Sequence, residues 1–169
     1  VPFAGRTEPH IFADILRRHG LVLDEATEAR FWDVTFARIR ERLAAPRGRL
    51  LAGVEHVLDA VEREPGWIMG LLTGNMTQMA RIKLARFGIH HRFAVWACGE
   101  EAADRDALAR LAVGKVRARW GLPASRCVVV GDTELDVDCA RAAGAKVIAV
   151  ATGGRTRGQL APHAPDLLL

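Results

Sequence analysis

Several scarcities narrow the field before any motif is read. No apolar run approaches the ~18–20 residues a membrane-spanning helix needs, and the stretches Trp67 to Leu72 and Cys127 to Val130 are of strand length. The opening Val1-Pro2-Phe3-Ala4-Gly5 has no basic residue and no long hydrophobic segment, so no secretory signal is expected there. Lysine is rare: Lys83, Lys115 and Lys146 are the only three, and nearly all the positive charge behind the net +4 is arginine. So mild an excess does not build a nucleic-acid surface, and the densest basic stretch, Arg38 to Arg49, alternates with apolar residues and Glu41 as a solvated helix face does. Cysteine is equally sparse, with Cys98, Cys127 and Cys139 at no metal-ligand spacing. Cys127 opens an apolar run and Cys139 falls on an expected helix, so both read as buried thiols in a reducing cytosol. The expectation is a cytoplasmic protein with neither nucleic acid nor membrane as partner. Oligomeric state is left open.

What is present is material for a core, since 50% of the residues are hydrophobic. The first 48 residues carry helix signals alone. Thr7-Glu8-Pro9 starts a helix that Gly20 stops, and Asp24 caps a second from Glu25 to about Ala44, ended by Pro46 and Gly48. From there the rhythm alternates. Helices are expected over Val54 to Glu64, Thr77 to Phe87, Asp106 to Trp120 and from Gly131-Asp132-Thr133 to about Ala143. Strands are expected over Trp67 to Leu72, Phe93 to Ala97, Cys127 to Val130 and Lys146 to Val150, with a fifth beginning in Asp166 to Leu169. Apolar strands alternating with helices predict an α/β fold: a Rossmann-like parallel sheet with helices on both faces, residues 49–169, preceded by an all-helical cap, residues 1–48.

Ligands of such sheets bind beyond the carboxyl ends of the strands, and three polar groups stand there. Thr73-Gly74-Asn75 offers a hydroxyl, a close backbone approach and the N-terminus of a helix, whose free N–H groups attract anions. Asp132 and Asp136, a strand end and one helical turn beyond it, are hard oxygen ligands of the kind magnesium takes, although a helix cap and a first-turn charge would look the same. Arg105 lies between two acidic neighbours at an expected helix start, where an arginine is ordinarily just solvated.

In this order and spacing the three groups resemble the second, third and fourth motifs of the haloacid-dehalogenase-like hydrolase superfamily. The run Gly131-Asp132-Thr133-Glu134-Leu135-Asp136, followed by Ala140-Arg141-Ala142-Ala143-Gly144-Ala145, is similar to phosphoglycolate-phosphatase-type members. Gly5-Arg6-Thr7-Glu8 resembles the lead into their helical cap. The resemblance implies a magnesium-dependent phosphatase acting on a small phosphorylated metabolite. Thr73 would hydrogen-bond the transferring phosphoryl group, with backbone N–H groups around Gly74 and Asn75 assisting. Arg105 would supply the cation that the superfamily usually takes from lysine, with Lys115 as the rival for that role. Asp132 would bind magnesium, and Asp136 would complete the metal site or orient its neighbours. The superfamily's nucleophile is an aspartate ending a first strand, with an acid/base aspartate two positions on, and that segment would precede the cap. The Asp104/Asp106 and Asp136/Asp138 pairs fall in the wrong place in the motif order. The expectation is therefore a chain inactive as it stands, with no strand between the one ending at Thr73 and the one ending at Asp132. The alternative is a non-catalytic relative that binds a phosphorylated metabolite or a protein partner. A receiver-type signalling domain would need a lysine after the last strand and no helical cap. His90-His91 reads as a surface loop, the other histidines are scattered, and Trp32, Trp67, Trp96 and Trp120 read as core.

Overall fold

The structure, a computed structural model, describes residues 6–45 and 48–169. Gly5, at the lead into the first helix, and Pro46, the expected stop of the second, lie outside the described residues.

Two helices come first. α1, Glu8–Arg18, begins with Glu8 and Pro9 in its first turn and ends with Arg17 and Arg18 in its last, the charge order that the helix dipole favours. α2, Glu25–Ala44, is capped by Asp24, whose carboxylate accepts the Thr27 N–H at 2.7 Å. An aromatic cluster joins them: Phe12 stacks on Phe31 with centroids 4.4 Å apart, and Trp32 sits 5.1 Å from each. α2 also packs on α4, Thr77–Ala85, which ties the helical segment to the α/β part of the chain.

The α/β part holds three more long helices and five short strands. α3 is Val54–Arg63, α5 is Arg105–Trp120 and α6 is Glu134–Ala142. The strands are β1 Gly70–Leu72, β2 Val95–Ala97, β3 Val128–Gly131, β4 Lys146–Ala149 and β5 Leu167–Leu168, and a one-turn α7, Arg157–Leu160, precedes the last. All pairings are parallel. β1 runs beside β2 with Gly70 opposite Val95 and Leu72 opposite Ala97, and β3 pairs with β4, which pairs with β5. The expected parallel α/β fold is present, and the elements fall where the periodicity placed them, although the strands are shorter. The run from Trp67 becomes a strand only at Gly70, where it meets Val95.

The strands form two ladders, β1-β2 and β3-β4-β5, and among the described residues no ladder joins β1 to β3. Helices hold the two halves together: α5 lies on β1 and β2, α6 lies on β3 and β4, and α5 packs against α6. Beneath α6 the core is Val137, Ala140, Val147, Ala149 and Leu160, with Val129 packed against it. The alternate residues of β3 point away from that core, and Val130 is 63% exposed. The large apolar residues of α3, Val54, Val57, Leu58 and Val61, recur at helical spacing, yet none is buried. Trp67 is 64% exposed, which corrects its reading as core: it precedes β1 in a turn that no described element covers. Cys127 is only half-buried, because it too leads into a strand with one open edge, whereas Cys98 and Cys139 are buried.

Candidate active site

The carboxyl ends of β1 and β3 and the start of α5 carry the candidate groups. After β1 the chain stays in register for one more residue, the Thr73 N–H donating to the Ala97 carbonyl at 3.0 Å. It then turns so tightly that the Thr73 hydroxyl oxygen accepts from both the backbone N–H of Asn75, at 3.1 Å, and its side-chain Nδ2, at 2.7 Å. Gly74 is buried between two other backbones. A Cβ on it would sit 2.2 Å from the Arg6 carbonyl oxygen, and a Cβ on Gly99 would sit 2.2 Å from Gly74's own. Any side chain there would force apart the start of α1 and the turn, which are joined by the Glu8 N–H donating to the Gly74 carbonyl at 2.7 Å.

The expectation of a free helix N-terminus needs correction here. Two carboxylates from other elements already serve the amides entering α4: the Met76 N–H donates to Glu8 at 2.8 Å, and the Thr77 N–H donates to Glu100 at 2.8 Å. Asn75's N–H is used within the turn. The Gly74 N–H is the amide of this turn left without a protein partner among the described residues.

At the end of β3 the chain enters α6 through a capping box made by Thr133 and Asp136. Asp136 is 4% exposed. One of its carboxylate oxygens accepts from the Asp132 N–H (3.1 Å), the Thr133 N–H (3.0 Å) and the Thr133 hydroxyl (2.8 Å). The other accepts from Arg105 Nη2. Arg105 is itself largely buried, and its Nε has no partner among the described residues. The rival cation is engaged elsewhere, for Lys115 donates to the Trp96 carbonyl at 2.7 Å and to Glu101. The structure therefore brings Arg105, and not Lys115, to the Asp132–Asp136 turn.

Asp132 differs from Asp136 in having no protein hydrogen bond to its carboxylate among the described residues. It rests instead against the loop after β4, where a Cβ on Gly153 would lie 1.7 Å from its Oδ2. That loop is anchored by Arg155, whose Nε and Nη2 donate to the two carboxylate oxygens of Glu134 at 2.7 and 2.6 Å. The guanidinium holds the Glu134 carboxyl far below its ordinary range, at about 2. Neither Gly153 nor the Arg155–Glu134 pair was singled out from the sequence; the Gly153-Gly154 pair just after a strand was the available signal.

Among the described residues no three His, Cys, Asp or Glu side chains gather as a metal cluster. The donor chemistry nonetheless separates the two aspartates. Asp132 presents a hard, unpartnered carboxylate that suits magnesium, whereas both oxygens of Asp136 are taken up by protein donors. Other candidates lie apart. Burial pushes the thiols of Cys98, Cys127 and Cys139 upward, so none is poised as a thiolate. His90 and His91 occupy a short turn before β2, Asp104 caps α5 through the Ala107 N–H, and Asp138 lies 3.8 Å from His163.

The chain is similar to several known proteins. Residues 100–169 match the HAD-hydrolase-like family. The phosphoglycolate phosphatase of Xanthomonas campestris is 33% identical over 120 residues, which cover 71% of this chain and 53% of that protein. This chain thus spans about half the length of the curated relatives it matches. Among solved structures, a predicted phosphoglycolate phosphatase from Haemophilus somnus superposes with a TM-score of 0.69 at 23% identity, over 90% of this chain and 67% of that one. CbbY from Rhodobacter sphaeroides, solved in complex with phosphate, gives a TM-score of 0.68 at 20% identity, over 83% and 62%. On these matches the chain belongs to the haloacid-dehalogenase-like hydrolases and is similar to the phosphoglycolate phosphatases among them.

Proposed function

We propose that this chain is the greater part of a magnesium-dependent phosphatase that cleaves a small phosphomonoester through an aspartyl-phosphate intermediate. What supports the proposal is that β1 is followed by a hydroxyl (Thr73) and an amide with no protein partner among the described residues (Gly74), while the end of β3 carries a largely buried guanidinium (Arg105, paired with Asp136) and a carboxylate with no hydrogen bond among the described residues (Asp132), the two strands standing in separate ladders. A parallel strand lying between β1 and β3 would end among these groups, and an aspartate at that end would be the nucleophile. α1 and α2 would cap the site, and the relatives named as phosphoglycolate phosphatases support a small phosphorylated metabolite as substrate.

Phosphoryl transfer is mainly a matter of position and charge. The Thr73 hydroxyl and the Gly74 N–H would each donate to an oxygen of the moving phosphoryl group. Arg105 would offset the negative charge that gathers there, its own angle fixed by Asp136. Magnesium, when bound, would offset charge on the phosphoryl oxygens and the nucleophile, and Asp132 is the residue here that would hold it. Asp136 would act chiefly as an organiser, because three capping bonds occupy one of its oxygens and the other pairs with Arg105. Lacking a nucleophile, the 169 residues alone would not turn over substrate.

The test is hydrolysis of p-nitrophenyl phosphate by the full-length native protein and its Asp132→Asn variant across a magnesium titration. Metal-dependent turnover that the substitution removes, with the melting temperature kept, supports the reading. Near-normal, metal-independent turnover in the variant contradicts it.

A further inference from the structure

The hydroxyl of Thr73 sits at the end of a chain of hydrogen bonds whose direction is set by charge. It begins with Glu8, in the first turn of α1, whose carboxylate accepts from the Met76 N–H at 2.8 Å and lies 3.7 Å from the ammonium of Lys83. Lys83, near the far end of α4, reaches back to the side-chain oxygen of Asn75. An ammonium has protons and no lone pairs, so the Asn75 amide must turn its oxygen toward Lys83. Its Nδ2 then points the opposite way, toward Thr73, and an amide nitrogen can only donate. With the Asn75 backbone N–H, that makes two donors on the Thr73 oxygen, at 2.7 and 3.1 Å. A hydroxyl has two lone pairs and one proton. Both lone pairs are used, and what remains for a ligand is the proton.

We propose that Lys83, held by Glu8, is a positioning residue that fixes the Asn75 amide and thereby commits the Thr73 hydroxyl to donate to an acceptor-only anion such as a phosphoryl oxygen. Without Lys83 the amide is free to rotate by half a turn. Its oxygen would then face Thr73, take the hydroxyl proton and leave a lone pair turned toward the anion. Isolated from charge the two orientations are close in energy, so the lysine decides the polarity of the turn. Because Glu8 belongs to α1, seating of the helical segment and the readiness of Thr73 are linked through a single side chain. The inference deepens the phosphatase reading and rests on it for the identity of the anion.

A double-mutant cycle in the full-length native protein tests this, with Lys83→Met, Lys83→Arg and Thr73→Val, reading kcat/KM on p-nitrophenyl phosphate and the Kd of inorganic phosphate. Lys83→Met should lower kcat/KM about 10- to 100-fold and weaken phosphate binding, the size of a loss expected for one hydrogen bond to an ionised group. In the Thr73→Val background the same substitution should cost less than about 2-fold, because the group it positions is gone. Lys83→Arg, still a donor, should restore much of the loss. Equal losses in both backgrounds, or none in either, would overturn the assignment. The Asn75 side-chain amide reads the relay whatever the activity proves to be. In NMR spectra its two protons should shift and exchange faster in Lys83→Met, and unchanged resonances would refute the relay even in a protein confirmed as a phosphatase. A protein without phosphatase activity whose Asn75 amide responded in this way would keep the relay and lose the substrate.

Discussion

Replacing Gly153 by alanine should damage metal binding far more than folding. The added Cβ would sit 1.7 Å from Asp132 Oδ2, 2.6 Å from its Cγ and 2.9 Å from its Cβ. The carboxylate oxygen must therefore retreat by more than about 1 Å to regain an ordinary contact, whereas Asp132's own Cβ is already close to an allowed distance. Rotation about χ1 achieves this, at a cost of roughly 0.5–1.5 kcal/mol if the new rotamer is imperfect. For a domain of this size that corresponds to a fall in melting temperature of roughly 1–6 °C. Function is less forgiving, because a misplacement of ~1 Å at a reacting centre can cost about 10²-fold. In the full-length protein, Gly153→Ala should raise the magnesium concentration needed for half-maximal p-nitrophenyl phosphate hydrolysis by about 10- to 100-fold, with a modest change in melting. An unchanged magnesium dependence would show that the Asp132 carboxylate does not need the position the Gly153 loop gives it, and the assignment of Asp132 as ligand would fall with it.

Arg105→Ala should lower turnover by about 10²-fold or more, as loss of a preorganised stabilising donor does, while Lys115→Ala should leave it within about 2-fold because that ammonium is tied to Glu101 and the Trp96 carbonyl. The reverse pattern would move the cationic role to α5's interior. Arg155→Gln should return the Glu134 titration from about 2 toward the ordinary glutamate value of 4.5, followed by NMR of its side-chain carboxyl. Because the folded value is the lower one, the pair's contribution to stability is fully present above about 4.5 and is lost as pH falls toward 2, so the variant should differ from the parent above that window and converge with it below. The polypeptide of residues 1–169 expressed alone should associate or lack a cooperative melt, since among the described residues β1 and β3 each leave a ladder edge open to pairing with another chain. A monomer in sedimentation with a sharp thermal transition would contradict this.

Much of the fold was legible because local rules and global packing agree. Asp24 and the Gly131-Asp132-Thr133 turn announce helix starts that the structure places within a residue or two, and the apolar runs at 128–130 and 146–149 form the expected strands, which pair in parallel. The separation of β1 from β3 was not legible in periodicity at all; it was implied by the resemblance to the haloacid-dehalogenase-like hydrolases. Trp67 shows why composition misleads: an aromatic in an apolar run reads as core unless one knows that nothing packs over the turn. At the site, strand ends offered Thr73 and Asp132 as candidates, where a plain turn or a helix cap would look the same, and only the resemblance to a family gave them roles. The contacts that tune them were invisible, because each joins elements far apart in sequence. Glu8 meets Met76 across 68 positions, Arg155 meets Glu134 across 21, and Gly153 touches Asp132 through a loop of no recognisable pattern. The choice of Arg105 over Lys115 likewise depended on which way two side chains leave one helix.

The central claim is that Thr73, Gly74, Arg105 and Asp132 face one phosphoryl group at the end of a strand lying between β1 and β3. A crystal structure of the full-length native protein with magnesium and orthovanadate tests it most directly. The expected result is a strand hydrogen-bonded to both β1 and β3, and a vanadate at its carboxyl end within ~3 Å of the Thr73 hydroxyl and the Gly74 N–H. Direct pairing of β1 with β3, or an anion bound away from Thr73, would contradict it.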